Sequence, residues 1–142
     1  MASPSPYRTL ARLARMLERS CGNLTLPQYR VLGLIADGSE RATLLANRLA
    51  LTKPSVSELI DTLVERGLVE RGTEPLDRRA VRLVATKAGK QALRRAEASM
   101  AERIEPIIEG CDDPELVRAA LAQIGPALDA ATDARLATKA RA

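Results

Sequence analysis

The chain has 142 residues, of which 46% are hydrophobic and 28% charged, with a formal net charge of +4 and no histidine. This length and balance indicate one folded domain rather than a disordered segment. Because histidine is the commonest general base and the commonest metal ligand, its absence counts against an enzyme or a metalloprotein, and we expect no cofactor.

The two cysteines and the hydropathy exclude further classes. Cys21 and Cys111 lie far apart and form no Cys-x-x-Cys pair, so zinc-ribbon and thioredoxin-like chemistry lack their usual ligands. No apolar run approaches the roughly 18 residues of a membrane-spanning helix, and no signal-peptide core is present. We expect a cytoplasmic protein without a membrane partner.

Positive charge is concentrated in the middle of the chain. Residues 38–95 contain 12 basic and 7 acidic side chains, whereas residues 96–134 contain 2 and 9, and residues 135–142 contain 3 and none. A basic module followed by an acidic, apolar segment indicates one part that binds a polyanion and another that stays clear of it.

Residues 1–6 predict a flexible Ser/Pro arm. The first helix is predicted from Tyr7 to near Gly22, since its apolar residues recur at helical spacing: Leu10, Leu13, Leu17 and Cys21. Arginines occupy its opposite side, where a solvated face is favoured over a second polyanion-binding surface.

The second helix has the clearest start in the sequence. Thr25 is placed as its N-cap, Gln28 completes a capping box, and Leu24 and Tyr29 are placed as a hydrophobic staple. For Tyr29 a core position is favoured, with a place in a ligand pocket as the alternative.

A short third helix is predicted at about residues 41–49, with three buried leucines: Leu44, Leu45 and Leu49. A tight turn at Ala50-Leu51 leads to a fourth helix, which Thr52 caps and Gly67 ends. Two short strands are predicted at residues 68–71 and 80–85, with residues 72–79 as the hairpin loop.

The last third of the chain predicts two more helices. Thr86 caps a long fifth helix that continues to Gly110, and Pro106 is expected to kink it or end it early. Asp113 caps the sixth, and Gly125-Pro126 is expected to bend it. The apolar faces of the terminal helices have too little domain left to cover them, which predicts a partner, most simply a second copy.

A helix, a short turn, a second helix and a two-stranded wing form a winged helix-turn-helix, which places its second helix in the major groove of DNA. The predicted fold is therefore mainly α with a small β-hairpin wing, built from six helices and dimerised through its N- and C-terminal helices. Residues 25–86 form the DNA-binding region, and residues 7–24 and 87–142 form the dimerisation helices.

The expected contacts with double-stranded DNA divide by chemistry. Serine hydroxyls at the start of the fourth helix suit base edges, lysine at the helix N-terminus suits phosphate, and wing arginines suit the minor groove. Asp77 is expected to orient Arg79 through a charge-assisted pair. The predicted DNA-binding residues are Arg41, Thr52, Lys53, Ser55, Ser57, Glu58, Arg71, Arg78, Arg79 and Arg82.

Glu58 has two interpretations. Its carboxylate could accept a hydrogen bond from a cytosine amino group, but a solvated or intrahelical position is favoured.

Two motifs resemble the MarR family of bacterial transcription regulators. They are the entry Leu24-Thr25-Leu26-Pro27-Gln28-Tyr29 and the wing sequence Asp77-Arg78-Arg79, which Leu83, Thr86 and Gly89 follow. The resemblance implies a homodimer formed through the first, fifth and sixth helices, a near-palindromic operator, and release by a small, often phenolic effector. The chain departs from the family's pattern at Ala50, where glycine is common, and at Glu58 and Thr62, where arginine is frequent.

The leading hypothesis is a homodimeric, ligand-responsive repressor, with the ligand pocket unassigned. One alternative is a redox-sensing regulator that uses Cys21 and Cys111, although nothing in their flanking sequence lowers a thiol pKa. The other is a dimeric adaptor or ligand-binding protein on the same scaffold that no longer binds DNA. Three carboxylates on the fourth helix point to it: Glu58, Asp61 and Glu65.

Overall fold

Six helices and one antiparallel hairpin make up the part of the chain that the structure, a computed structural model, describes: residues 5–38, 41–73 and 81–141. The elements are α1 Pro6–Glu18, α2 Leu26–Ala36, α3 Ala42–Leu49, α4 Lys53–Glu65, β1 Val69–Thr73, β2 Val81–Ala85, α5 Lys87–Glu109 and α6 Pro114–Arg141. The predicted mainly helical architecture with a hairpin wing is confirmed.

The predicted helix caps are present. At α2 the Gln28 amide donates to the Thr25 hydroxyl at 3.3 Å, and the Thr25 amide donates to Gln28 Oε1 at 3.0 Å, which completes the capping box. Side-chain oxygens of three further residues accept amide hydrogens at the starts of α4, α5 and α6: Thr52, Thr86 and Asp113. These caps satisfy donors that a helix start otherwise leaves unpaired.

The core is aliphatic and lies between α2, α3, α4, the hairpin and the first half of α5. Its largest fully buried side chains include Leu32, Leu45 and Leu63. Within α3 the prediction was partly wrong, because Leu44 is 41% exposed and Ala46 is buried in its place. A helix of 8 residues presents one narrow stripe to the core, and Ala46 rather than Leu44 falls on it.

Two boundaries differ from the prediction by two residues or more, at the end of α1 and at the end of β1. Helix α1 ends at Glu18 rather than near Gly22, because the Ser20 hydroxyl and the Cys21 thiol donate to the carbonyls of Met16 and Leu17, at 2.6 and 3.1 Å. The Arg19 and Ser20 amides donate to the same two carbonyls in i→i−3 bonds, so the helix closes with a tight turn and its i→i−4 bonds do not continue.

The wing strands are also longer than predicted on the β1 side, where Gly72 pairs with Arg82 and Thr73 with Val81. Helix α5 continues through Pro106 to Glu109. Beside that proline, Arg118 of α6 pairs with Glu105 at 2.8 Å and with Glu109, so ion pairs hold the last turns of α5 against α6.

Helices α1 and α6 remain uncovered. Neither contains a buried side chain within the described residues 6–18 and 114–141. Tyr7 of α1 is 79% exposed, and Leu116 and Leu128 of α6 are 65% and 62% exposed. The prediction that one copy cannot cover these apolar faces is therefore confirmed by the burial.

The base of the wing is fastened to the start of α5. The Thr86 hydroxyl donates to the Gly67 carbonyl at 2.7 Å, and the Thr86 amide donates to the Leu68 carbonyl at 3.1 Å. Gly89 lies so close that a Cβ on it would be 2.1 Å from the Leu68 carbonyl oxygen. Only glycine fits at this contact. The contact fixes the position of the base of the wing against the start of α5.

We expect Gly89→Ala to lower the free energy of unfolding by about 2–3 kcal/mol, because the added methyl group must push backbone atoms apart. Chemical denaturation followed by circular dichroism measures this. Gly33→Ala is the matched control, since Gly33 is also helical and has nothing within 4 Å of the added methyl group. The control should gain about 0.5–1 kcal/mol, and equal stability of Gly89→Ala and the native chain would contradict the packing argument.

Candidate nucleic-acid interface and ligand cleft

Helix α4 presents an acidic strip to solvent. It buries Val56, Ile60 and Leu63 against the core, so the residues at helical spacing on the opposite side point outward. These are Pro54, Glu58, Asp61 and Glu65, and all four are exposed. The centre of the exposed face therefore carries three carboxylates, and the polar and basic residues suited to DNA lie at its edges and at its N-terminus.

The two predicted serine contacts lie on different sides of α4. Ser55 shares a hydrogen bond of 2.8 Å with the Thr52 hydroxyl and borders a depression that Glu58 also lines. Ser57 lies on the side of the wing, next to Arg71. Among the described residues, no hydrogen bond engages the Ser57 hydroxyl, which makes it the better placed of the two for a base edge.

Arg71 of β1 forms an ion pair with Asp61 of α4. Both side chains are about half exposed, at 46% and 56%, so water screens the attraction and its contribution to stability is small. Its effect on the surface is larger, because the pair neutralises one carboxylate of the acidic strip and positions Arg71 between wing and helix. The sequence placed both charges on this surface but did not indicate that they pair.

The other predicted DNA-binding residues are distributed around α4. Lys53 is exposed at the first position of α4, and Arg41 is exposed as the N-cap residue of α3. Arg82 is exposed on β2 opposite Gly72. Asp77, Arg78 and Arg79 lie outside the residues that the structure describes, and their assignment stays a sequence-based prediction.

Arg66 is a structural residue of this surface that the sequence did not reveal. It follows α4 and donates to Gln28 Oε1 at 3.3 Å and to the Asn23 carbonyl at 3.1 Å. It thereby fixes the end of α4 against the start of α2. No sequence signal marks this pairing, because 38 residues separate Arg66 from Gln28.

The turn between α3 and α4 is strained at Ala50. Ala50 has φ of 54° and lies in the left-handed region, which costs a residue with a Cβ about 1–2 kcal/mol. The turn nevertheless closes, and the Leu51 amide donates to the Ala46 carbonyl at 3.0 Å. The turn of the helix-turn-helix therefore forms with alanine at this position.

Residues 23–80 match the model of the MarR family. The resemblance to the MarR family is confirmed. The match covers α2, α3, α4 and β1, and it includes the capping box at the start of α2. Among curated protein sequences, none is significantly similar to the chain.

Solved structures share this MarR-type fold over most of the chain. CouR from Rhodococcus jostii, bound to p-coumaroyl-CoA, is 24% identical with a TM-score of 0.68, over 89% of this chain and 87% of that one. A MepR point mutant from S. aureus, bound to an oligodeoxyribonucleotide, is 19% identical with a TM-score of 0.62, over 88% and 99%. The regulator BldR from Sulfolobus solfataricus is 25% identical with a TM-score of 0.64, over 83% and 90%.

A cleft of about 420 Å³ lies between the winged helix-turn-helix and α6. Its walls come from α2, α3, α5 and α6 and include Tyr29, Arg48, Glu97 and Leu128. The sequence did not locate this site, because its residues come from four helices spread over about 100 positions. Tyr29 packs against the core, as favoured from the sequence, and it also lines the cleft; its place in a ligand pocket stays a prediction.

The polar lining of the cleft consists of Tyr29, Arg30, Asp37, Arg48, Glu97, Asp129 and Thr132. Tyr29 and Arg48 are the two whose hydrogen bonding bears on a ligand. The Tyr29 hydroxyl donates to Glu97 Oε1 at 3.4 Å. Burial, and then the negative charge of Glu97, raises the pKa of Tyr29, so the phenol stays protonated as a donor. The Arg48 Nε is buried and has no hydrogen-bond partner within the described residues. An unpaired buried donor is costly and is available to an anionic group.

The two cysteines differ in environment. Cys21 is 1% exposed, and burial, followed by the nearby Glu18, raises its thiol pKa. A raised pKa leaves less thiolate at neutral pH, and the thiolate is the nucleophile. Cys111 is exposed in the turn between α5 and α6. Cys21 therefore has the character of a packing residue, which weighs against the redox alternative.

The described residues 5–38, 41–73 and 81–141 contain no group of three Cys, Asp or Glu side chains arranged to hold a metal ion. Among the described helices, none combines the length and the apolar character that a bilayer span requires.

Proposed function

We propose that the protein is a homodimeric transcription regulator that binds a near-palindromic operator and acts as a repressor, released when a small aromatic acid occupies the cleft beneath α6. The observation that carries the proposal is the combination of a MarR-type winged helix with two helices whose apolar faces are uncovered. The family match supports regulation by DNA binding, and the uncovered faces support the dimer.

The dimer is supported by the position of the exposed apolar side chains. Most of the large ones lie on α1, on the last turns of α5 and on α6, and include Leu10, Ile107, Leu121 and Ile124, whereas Leu44, Leu51, Val81 and Val84 are exposed on α3, the next turn and the wing. Burying each such leucine or isoleucine contributes about 1.5–3 kcal/mol, and an obligate interface of this kind covers about 2,000 Å² or more. Residues 7–24 and 87–142 would then form the dimerisation part and residues 25–86 the DNA-binding region.

We expect Leu121→Glu to shift the protein from dimer to monomer, since it places a charge in the proposed interface. Sedimentation velocity should give a native mass of twice the 15.3 kDa chain and a mass near one chain for the variant. Val84→Glu is the matched control, because Val84 is similarly exposed, at 43% against 48%, but lies on the wing. A monomeric native chain, or dissociation by both variants, would overturn the dimer.

DNA binding is supported by the exposed start of α4 and by the basic residues around it. In a dimer, two recognition helices about 34 Å apart reach successive major grooves on one side of the duplex. Lys53 and the positive end of the α4 dipole suit phosphate, and Ser57 suits a base edge. The acidic strip at the centre of α4 confines these contacts to its N-terminal turns.

We expect log K for DNA binding to fall against log salt with a slope near −7, if the dimer neutralises roughly eight phosphates. Fluorescence anisotropy with a duplex from upstream of the protein's own coding region measures it. Lys53→Gln should weaken binding to all sequences and flatten the slope, whereas Ser57→Ala should change base preference and leave the slope unchanged. An intact dimer without salt-dependent binding would favour the adaptor alternative, which the carboxylates of α4 suggest.

The aromatic acid follows from the chemistry of the cleft. Apolar side chains of Leu34, Leu49, Leu93 and Leu128 supply surface for a ring. The Tyr29 hydroxyl donates to Glu97, and its oxygen can accept a hydrogen bond from a ligand hydroxyl, whereas the unpaired Arg48 Nε can donate to a carboxylate. Among the structural relatives, CouR carries an aromatic acyl ligand, which shows that a fold of this kind accommodates one.

We expect 4-hydroxybenzoate to raise the melting temperature of the native protein by several degrees at saturating concentration, because a ligand that binds only the folded state stabilises it. The neutral 4-hydroxybenzamide should have a much smaller effect. Arg48→Gln should remove the difference between the two compounds. Arg95→Gln, which removes an exposed charge of α5 outside the cleft, should keep it. Equal shifts with both compounds in the native protein would contradict the role of Arg48.

A further inference from the structure

The C-terminal end of α6 lies beside the N-terminus of α4. A cleft of about 470 Å³ is bordered by the turn between α3 and α4, by Lys53, and by Arg135, Leu136 and Lys139 of α6. The cleft is separate from the ligand cleft, which lies on the other side of α3 and is lined by different residues.

Two contacts hold α6 in this position. Arg135 donates to the Asn47 carbonyl of α3 at 2.8 Å. Arg48 of α3 pairs with Asp133 of α6 at 3.4 Å. Both contacts join α6 to α3, the first helix of the helix-turn-helix. They therefore fix the position of the end of α6 relative to α4, the second helix.

The walls of this cleft carry positive charge only. Its charged residues are Lys53, Arg135 and Lys139. Residues 134–142 contain three basic side chains and no acidic one, and the preceding Asp133 is paired with Arg48. The N-terminus of the 13-residue helix α4 adds the positive end of its dipole. The site is therefore complementary to an anion.

Helix stability alone does not account for this arrangement. Basic residues in the last turn of a helix stabilise its dipole from any side. Arg135 and Lys139, four residues apart, occupy one side of α6, and both line the cleft that faces Lys53. Arg141 also lies in the last turn but does not line the cleft.

We propose that Lys53, Arg135 and Lys139 form a phosphate-binding site for the DNA backbone, so that the end of α6 extends the DNA interface beside the recognition helix. The inference rests on the proposed function, because it assigns a second anchoring element to the same operator complex. Lys139 contacts the phosphate, and Arg135, through its bond to Asn47, also positions the helix end. The contact reads no bases and adds affinity for any sequence.

The test is Lys139→Gln in the full chain, because Lys139 is exposed and is not engaged in any hydrogen bond or ion pair with the described residues. The probe is the duplex from upstream of the protein's own coding region, titrated by anisotropy between about 50 and 200 mM salt. Loss of one phosphate contact in each of two protomers should flatten the slope of log K against log salt by about 1.8. Affinity should fall several-fold at the lowest salt.

Arg95→Gln is the matched control, since it removes one exposed positive charge from α5 outside this cleft, and it should leave the slope unchanged. A native slope retained by Lys139→Gln, or equal flattening by both variants, would overturn the inference while DNA binding itself stands. If the native dimer shows no salt-dependent binding to the duplex, the proposed function fails first, which distinguishes the two failures.

Discussion

The shortage of apolar burial in a single copy is the constraint on which the rest of this structure depends. Helix α6 has 28 residues and buries no side chain within residues 114–141, and α1 buries none within residues 6–18. Helices in water gain most of their stability from packing of an apolar face, so these two need a surface that one chain does not provide. In the proposed dimer a second copy would supply that surface and, by the same contact, would set the separation of the two α4 helices.

The electrostatics of α4 limit how DNA can approach it. Three carboxylates occupy the centre of its exposed face, and the positive groups lie at its N-terminus, on the wing and at the end of α6. The ion pair between Asp61 and Arg71 removes part of the repulsion. In the proposed complex, phosphate would be favoured at the edges of the helix, and base contacts would be confined to its first turns. Affinity would then come from the dispersed cations, and specificity from few side chains.

Helix α6 borders both clefts. Leu128, Asp129 and Thr132 line the ligand cleft, and Arg135, Leu136 and Lys139 line the basic cleft beside α4. The two sets lie within three turns of one helix. A ligand can shift this helix only if it binds two positions of α6 with different affinity. Arg48 of the ligand cleft pairs with Asp133 of α6, which lies in sequence between the α6 residues that line the two clefts.

The sequence by itself determined the elements and their starts. The caps at Thr25, Thr52 and Thr86 depend on residues three positions away. Because capping depends on residues so close in sequence, it can be predicted from the sequence alone. Local sequence patterns also predicted the wing, the order of the helices and the uncovered terminal helices.

The tertiary structure decided which residues distant in sequence come into contact. The burial of Ala46 rather than Leu44, the pairing of Arg71 with Asp61, and the contact of Arg135 with Asn47 depend on how helices pack. The last of these joins residues 88 positions apart. No periodicity or spacing encodes such contacts, because they are fixed only when the core selects one arrangement of the helices. The ligand cleft and the basic cleft at the end of α6 therefore came from the fold.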